Sequence, residues 1–253
     1  MTQKLYLESI DAGYFRRFDA TVVDVQGSNI VLDRTLFYPL GGGQHWDTGV
    51  FEGPNGALDV SEVRGRNDVL HTVTGDHQLT VGDEVRGIID WETRYQRMRM
   101  HTAQHLVSGI AYELFDGVRT VGNQLHADRS RIDFNPISFD ETMLDELINV
   151  VNHHIDGGLE ITDSTMTREQ INAVMPSDRT NMDLLPASVR ELRIVTIGDG
   201  IDMCPCAGTH VSNTNELGHI NLLGKKSKGK GTQRITYDLK SSNAPRMFSD
   251  TVL

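Results

Sequence analysis

The chain has 253 residues, with 24 Lys and Arg against 35 Asp and Glu, and a formal net charge of −11. That balance argues against broad nonspecific nucleic-acid binding through a basic surface, while 38% hydrophobic residues suffice for one large core or two ordinary ones. No run approaches the ~18 uninterrupted apolar residues of a membrane span, no signal-type apolar segment opens the chain, and cysteines spaced as in Cys204-Pro-Cys206 are poorly placed for a disulfide; the expectation is a soluble, reduced, cytoplasmic protein with no membrane partner.

Up to about residue 90 the pattern predicts strands: Phe18 to Val25 and Asn29 to Leu32 flank the hairpin turn Gln26-Gly27-Ser28, and short runs follow at Leu58 to Val63, Val69 to Val73 and Glu84 to Asp90. Such close spacing suggests a small barrel or sandwich. The periodicity changes near Trp91. From Glu92 to Phe115 no Gly or Pro appears before Gly109, and Met98, Thr102, His105, Ile110 and Leu114 recur along one side of a predicted helix. A second helix is predicted from Asp140 as N-cap to about Ile155, with Met143, Leu144, Leu147, Ile148, Val151 and Ile155 as its buried stripe. A strand from Val189 to Ile197 then leads into the turn Gly198-Asp-Gly200, and strands at Ile220 to Leu223 and Arg234 to Leu239 bracket a lysine-rich loop.

Two short motifs carry the chemistry. His101-Thr-Ala-Gln-His105 places two imidazoles four residues apart, on one helix face, and Cys206-Ala-Gly-Thr-His210 adds a thiolate and a third imidazole. Zn²⁺ accepts this mixed nitrogen and sulfur set at ~2.0 to 2.3 Å, so His101, His105, Cys206 and His210 are the expected ligands of one zinc ion. Catalytic zinc keeps an open position. A fourth protein ligand therefore requires that His210 yield, that the ion expand its coordination, or that it chiefly orient the pocket. The other histidines are assigned less: His71, His77 and His126 as surface or satisfied polar residues, His153 and His154 as solvated ones.

These motifs, together with Arg131-Ile-Asp-Phe134, Cys204-Pro-Cys206, and Lys226-Ser-Lys-Gly-Lys230, resemble the free-standing alanyl-tRNA editing proteins, relatives of the alanyl-tRNA synthetase editing domain. The stretch Phe37-Tyr-Pro-Leu-Gly-Gly-Gly-Gln44 followed by Asp47-Thr-Gly49 is similar to the glycine-rich motif of the longer members, departing from it at Leu40 and His45; Ala207 replaces a common glycine downstream. The resemblance implies an α+β chain, with a β-barrel-like N-terminal domain over residues 1–92 and a zinc-containing editing domain over residues 93–253. The implied activity is hydrolysis of the ester in mischarged tRNA(Ala), chiefly seryl and, for the longer type, glycyl. It also gives Gly41, Gly42, Gly43 and Gln44 a reading beyond a tight turn, as a loop bearing on the amino acid.

Chemistry reaches the same place separately. Thr102, Ala103 and Gln104 supply no carboxylate between the two histidines, which disfavours thermolysin-type peptide hydrolysis, but an aminoacyl ester is far more reactive than an amide. Selectivity then falls to polar groups of a small pocket, for which Thr102, Gln104, Asn123 and Gln124 are candidates. Lys225, Lys226, Lys228, Lys230 and Arg234 concentrate positive charge among glycines and are the expected tRNA contacts. Two other classes fit parts of the pattern: a non-catalytic RNA-binding protein with structural zinc, and a zinc hydrolase of another small ester or amide. A homodimer is left open.

Overall fold

A computed structural model describes residues 1–175, 189–241 and 249–253. The chain is α+β and divides into two compact units, one made of Met1–Met98 with the C-terminal strand, the other beginning at Arg99.

In the first unit a two-residue parallel pair, β1 (Gln3–Lys4) with β4 (Arg34–Thr35), lies beside a closed barrel. The barrel strands are β2 (Phe15–Gln26), β3 (Asn29–Leu32), β5 (Gly49–Gly53), β6 (Gly56–Arg64), β7 (Leu70–Val73) and β8 (Glu84–Ile89). They run in the order β2-β3-β7-β6-β5-β8, and β8 pairs back onto β2. Closure is made by the length of β2: Arg17 to Thr21 pair with β8, and Val22 to Gln26 with β3. The C-terminal strand β16 (Ser249–Val252) adds in parallel to the start of β2. Inward residues of period two, Phe18, Ala20 and Val22 on β2 among them, fill the interior with Phe37 and Phe51. Phe37 meets Phe18 and Phe51 edge-on at centroid distances of 6.0 and 5.5 Å. Gly87 on β8 is required by this core, since a Cβ there would stand 2.1 Å from the Phe18 ring.

His71, expected at the surface or as a satisfied polar group, is fully buried in this barrel. Its Nδ1 lies 3.0 Å from the Ile30 carbonyl, which only accepts, so Nδ1 carries the proton and Nε2 accepts from the Thr35 hydroxyl at 2.9 Å. Thr35 Oγ1 in turn accepts from the Phe37 amide. Burial pushes the imidazole down to about 4, against a smaller upward pull from the Ile30 hydrogen bond.

Helix α1 (Trp91–Leu114) starts where Asp90 accepts from the Thr93 amide and hydroxyl. In the second unit, β9 (Arg119–Leu125) and β10 (Ser130–Asn135) precede α2 (Glu141–Asp156), whose N-cap Asp140 accepts from the Met143 amide at 2.8 Å. Leu144, Leu147, Val151 and Ile155 form its buried stripe. Then come β11 (Ile161–Thr167), α3 (Arg168–Val174), β12 (Glu191–Ile197), β13 (Asp202–Pro205), β14 (Ile220–Gly229) and β15 (Thr232–Leu239). They build two antiparallel sheets, β14-β15-β10-β9 and β11-β12-β13. The last hairpin differs from expectation. Lys225, Lys226 and Lys228 are in strand β14, and the turn is only Lys230 and Gly231, both at positive φ. A turn of that hand suits the twist of a hairpin, so the strands propagate into the lysine run despite its low strand propensity. Among the described residues no helix is long and apolar enough to cross a membrane.

Candidate metal centre

Helix α1 places His101 and His105 one turn apart, and from His101 to Val107 each residue is buried. The helix receives the second motif through Gly109, where a Cβ would come within 2.3 Å of the Ile201 carbonyl. That close approach sets β13 against the helix. Cys206 continues the pairing of β13 with β12, its amide donating to the Arg193 carbonyl at 3.0 Å. The Arg193 side chain holds the following loop, donating from Nη1 to the carbonyls of Cys206 and Gly208 while Nε donates to Asp163.

The four expected ligands converge. His101, His105, Cys206 and His210 each offer one donor atom, all within 4.8 Å of one another. Cys206 Sγ is 3.6 Å from His101 Nε2 and 3.2 Å from His210 Nε2. Donors bound tetrahedrally at ~2.0 to 2.3 Å stand roughly 3.3 to 3.7 Å apart, so the set fits an ion such as zinc. The far nitrogens of two of the rings are engaged. His105 Nδ1 lies 2.8 Å from Asp202 Oδ2, and His210 Nδ1 lies 3.1 Å from Thr102 Oγ1, which also accepts from the Val211 amide. The Asp202 carboxylate only accepts, so it assigns the His105 proton to Nδ1 and leaves Nε2 as the donor to a metal; at His210 the Thr102 hydroxyl holds Nδ1, and Nε2 is the nitrogen that faces Cys206.

The two cysteines differ in charge state. Burial opposes ionisation of Cys206, but His101, His210 and His105 outweigh it and hold the thiol well below its ordinary value, which suits a thiolate ligand. Burial, with the Asp202 charge beside it, pushes Cys204 up to about 12. Burial, with the charge of His101, holds His210 well below its ordinary value, as a neutral ligand requires. A second donor group, His105, Asp202 and Cys204, shares His105 with the first. Its His105 to Asp202 distance of 2.8 Å is that of a charge-assisted hydrogen bond, so we read it as the support of the first set.

Of the expected pocket residues, Gln104 and Asn123 come together, Asn123 Nδ2 donating to Gln104 Oε1 at 3.3 Å. Gln104 Nε2 donates to Ser108 Oγ, itself 2.6 Å from Thr120 Oγ1, which makes a connected polar patch of four side chains. Gln124 is on the other face of β9, opposite Arg131 where Asn123 is opposite Ile132. In the first unit, Gly41 and Gln44 exchange backbone hydrogen bonds around Gly42 and Gly43, both at positive φ, and Tyr38 Oη donates to the Gly41 carbonyl. Among the expected tRNA contacts, Lys225 donates to the Phe139 carbonyl and Arg234 makes a two-pronged bond to Asp133; Lys226, Lys228 and Lys230 are exposed. Asp202, Ser108, Thr120 and Arg193 were not anticipated. Only their position in the fold, Ser108 on α1 and the others on strands, distinguishes them.

Two family descriptions match the chain: "tRNA synthetases class II (A)" over residues 8–93 and "Threonyl and Alanyl tRNA synthetase second additional domain" over residues 192–236. The alanyl-tRNA editing protein AlaX-M of Saccharolobus solfataricus is 38% identical over 95% of this chain and 100% of its own length. AlaX-M of Methanosarcina barkeri is 36% identical over 94% of this chain and 99% of its own length. The alanine–tRNA ligase of Halobacterium salinarum is 34% identical over 93% of this chain, which corresponds to 26% of the ligase.

Proposed function

The chain belongs to the free-standing alanyl-tRNA editing proteins, and on that premise we propose that it hydrolyses the ester of mischarged tRNA(Ala), chiefly Ser-tRNA(Ala) and secondarily Gly-tRNA(Ala), without ATP. The observation that carries this reading is the convergence of His101, His105, Cys206 and His210 within 4.8 Å, beside a polar patch and with no carboxylate in the position of a peptidase base.

The four residues would hold one zinc ion. When bound, zinc supplies Lewis acidity beside the scissile ester. The chain's own groups do the rest. Asp202 accepts from Nδ1 of His105 and the Thr102 hydroxyl hydrogen-bonds Nδ1 of His210, and these contacts fix the two rings. Gln104, Ser108, Thr120 and Asn123 present hydroxyls and amides that can pair with a seryl hydroxyl and amine. Seryl selectivity over alanine would come from hydrogen bonds that these groups can make to the seryl hydroxyl and that an alanyl side chain cannot replace. We assign residues 1–92 to a barrel domain whose Gly41, Gly42, Gly43 and Gln44 turn tunes the amino acid preference, and residues 93–253 to the editing domain. Lys226, Lys228 and Lys230 would meet tRNA phosphates, in the cytoplasm where aminoacylation occurs.

The closed donor set is the one observation that favours a purely structural zinc in a non-catalytic RNA-binding protein. Release of serine from Ser-tRNA(Ala), compared with hydrolysis of a simple seryl ester, separates the readings. Editing requires turnover of the tRNA substrate; a structural zinc gives neither, and a general esterase cleaves the small ester as readily.

A further inference from the structure

The chain is acidic, yet one face of the β14-β15-β10-β9 sheet is not. The period of two puts Ile235 and Tyr237 of β15, with Ile132 and Phe134 of β10, on the buried side. Their neighbours Arg234, Thr236, Arg131 and Asp133 are on the open side. Register then aligns two rows across the strands. Lys226 is opposite Arg234, which is opposite Asp133, which is opposite Gly122. In the next row Gly224 is opposite Thr236, Thr236 opposite Arg131, and Arg131 opposite Gln124. Asp133 also feels the charges of Arg131 and Lys228. Three cations, Arg234, Arg131 and Lys228, thus act on one carboxylate, and that carboxylate is already taken by Arg234 at 2.5 and 2.7 Å. At the far end of the face Asp238 accepts from Asn221. The Arg131 guanidinium makes no hydrogen bond among the described residues, and the residue sits between a small residue, Thr236, and Gln124, with Gly122 and Gly224 leaving the surface low around it.

We propose that this open sheet face docks the phosphodiester backbone of a base-paired RNA stem, with Arg131 at its centre, Lys226 and Lys228 beside it, and Asp133 holding Arg234 in place. Resting on the tRNA reading above, it specifies where the acceptor stem meets the protein. Charge gives the polyanion. The aromatic residues give the duplex: sheets that read single strands stack bases on exposed rings, whereas the aromatic side chains of these four strands, Phe134 and Tyr237, are both 0% exposed. A flat cationic face without stacking platforms suits the shape and phosphates of an A-form helix. Lys225, turned to the Phe139 carbonyl, is not part of it.

The test is fluorescence anisotropy with three RNAs, a tRNA(Ala) transcript, its acceptor minihelix and a single strand of equal length, across a salt titration. Arg131→Gln and Lys228→Gln are compared with Arg129→Gln, which removes an equal charge from an exposed site on the same unit. Each face variant should bind the minihelix roughly fivefold more weakly near physiological salt and lose ~0.7 to 0.9 from the log-log slope. Arg129→Gln should stay within twofold, and unchanged melting temperatures exclude misfolding. Unaltered affinity and slope in both face variants overturn the proposal, and that is also the outcome if the face docks an acidic protein instead. Preference of the wild type for the single strand overturns the duplex assignment. A wild type that binds none of the RNAs overturns the tRNA reading as well, whereas Ser-tRNA(Ala) hydrolysis with unaltered binding by the face variants overturns this inference alone.

Discussion

The imidazole of His105 donates a hydrogen bond from Nδ1 to the carboxylate of Asp202, 97 residues away in sequence and 2.8 Å away in space. The bond orients one of the four candidate metal ligands from the strand that precedes the other motif. Asp202→Asn keeps the shape and loses the anionic acceptor, and should weaken zinc affinity about 10- to 100-fold without unfolding the chain. Competition against a chromophoric chelator reads this. Unchanged affinity would remove Asp202 from the support of the site.

Cys206 and Cys204 should behave differently on truncation. Purified protein is expected to hold about one zinc per chain, and Cys206→Ala to lose it, because its thiolate faces His101 and His210. Cys204 packs against the Ile171 and Ile194 cluster and, among the described residues, its sulfur makes polar contacts with the outer nitrogen of His105 and the Asp202 carboxylate, so Cys204→Ala should retain metal. Metal analysis of both variants decides; loss in Cys204→Ala with retention in Cys206→Ala reverses the assignment.

Gly109→Ala sets local propensity against packing. Alanine in mid-helix is favoured over glycine by about 0.8 to 1.0 kcal/mol. Here its Cβ would stand 2.3 Å from the Ile201 carbonyl, one residue before Asp202. Overpacking of that kind costs typically ~1 to 3 kcal/mol, so the variant should be less stable and bind zinc more weakly. A raised melting temperature would show that the helix and β13 do not approach as described.

Buried neutral His71 makes stability pH-dependent. The unfolded imidazole takes a proton near 6.5 and the folded one only near 4, so the unfolded state binds more protons between those values. Its contribution is complete above pH 6.5 and is lost as pH falls toward 4, with roughly 3 kcal/mol at stake. Chemical denaturation across this window should show stability falling with acid. In His71→Gln the slope should be smaller; an identical slope assigns the effect to other groups.

The ligand tetrad was legible because each pair obeys a local spacing, four residues on a helix and four along a loop. The helix Trp91–Leu114 and the N-cap at Asp140 were legible for the same reason. A small N-terminal barrel was legible from the strand spacing, but which strands close it was not, since closure depends on β2 dividing its length between β3 and β8, a choice no local pattern encodes. Strand β5 was missed because it is five residues bounded by Gly49 and Gly53, which read as turn signals. Strand β14 was cut short at Leu223 because lysine and glycine disfavour strands, and its pairing with β15 overrides that preference. Asp202 had no signature: an aspartate after a glycine turn resembles any surface loop until β13 pairs with β12 and meets the helix.

The central claim is tested by the rate at which metal-loaded protein deacylates Ser-tRNA(Ala) relative to Ala-tRNA(Ala). The account predicts rapid release of serine, slow release of alanine, and loss of serine release in Cys206→Ala in step with its zinc. Equal rates on the two substrates, or full activity in a metal-free Cys206→Ala, would contradict it.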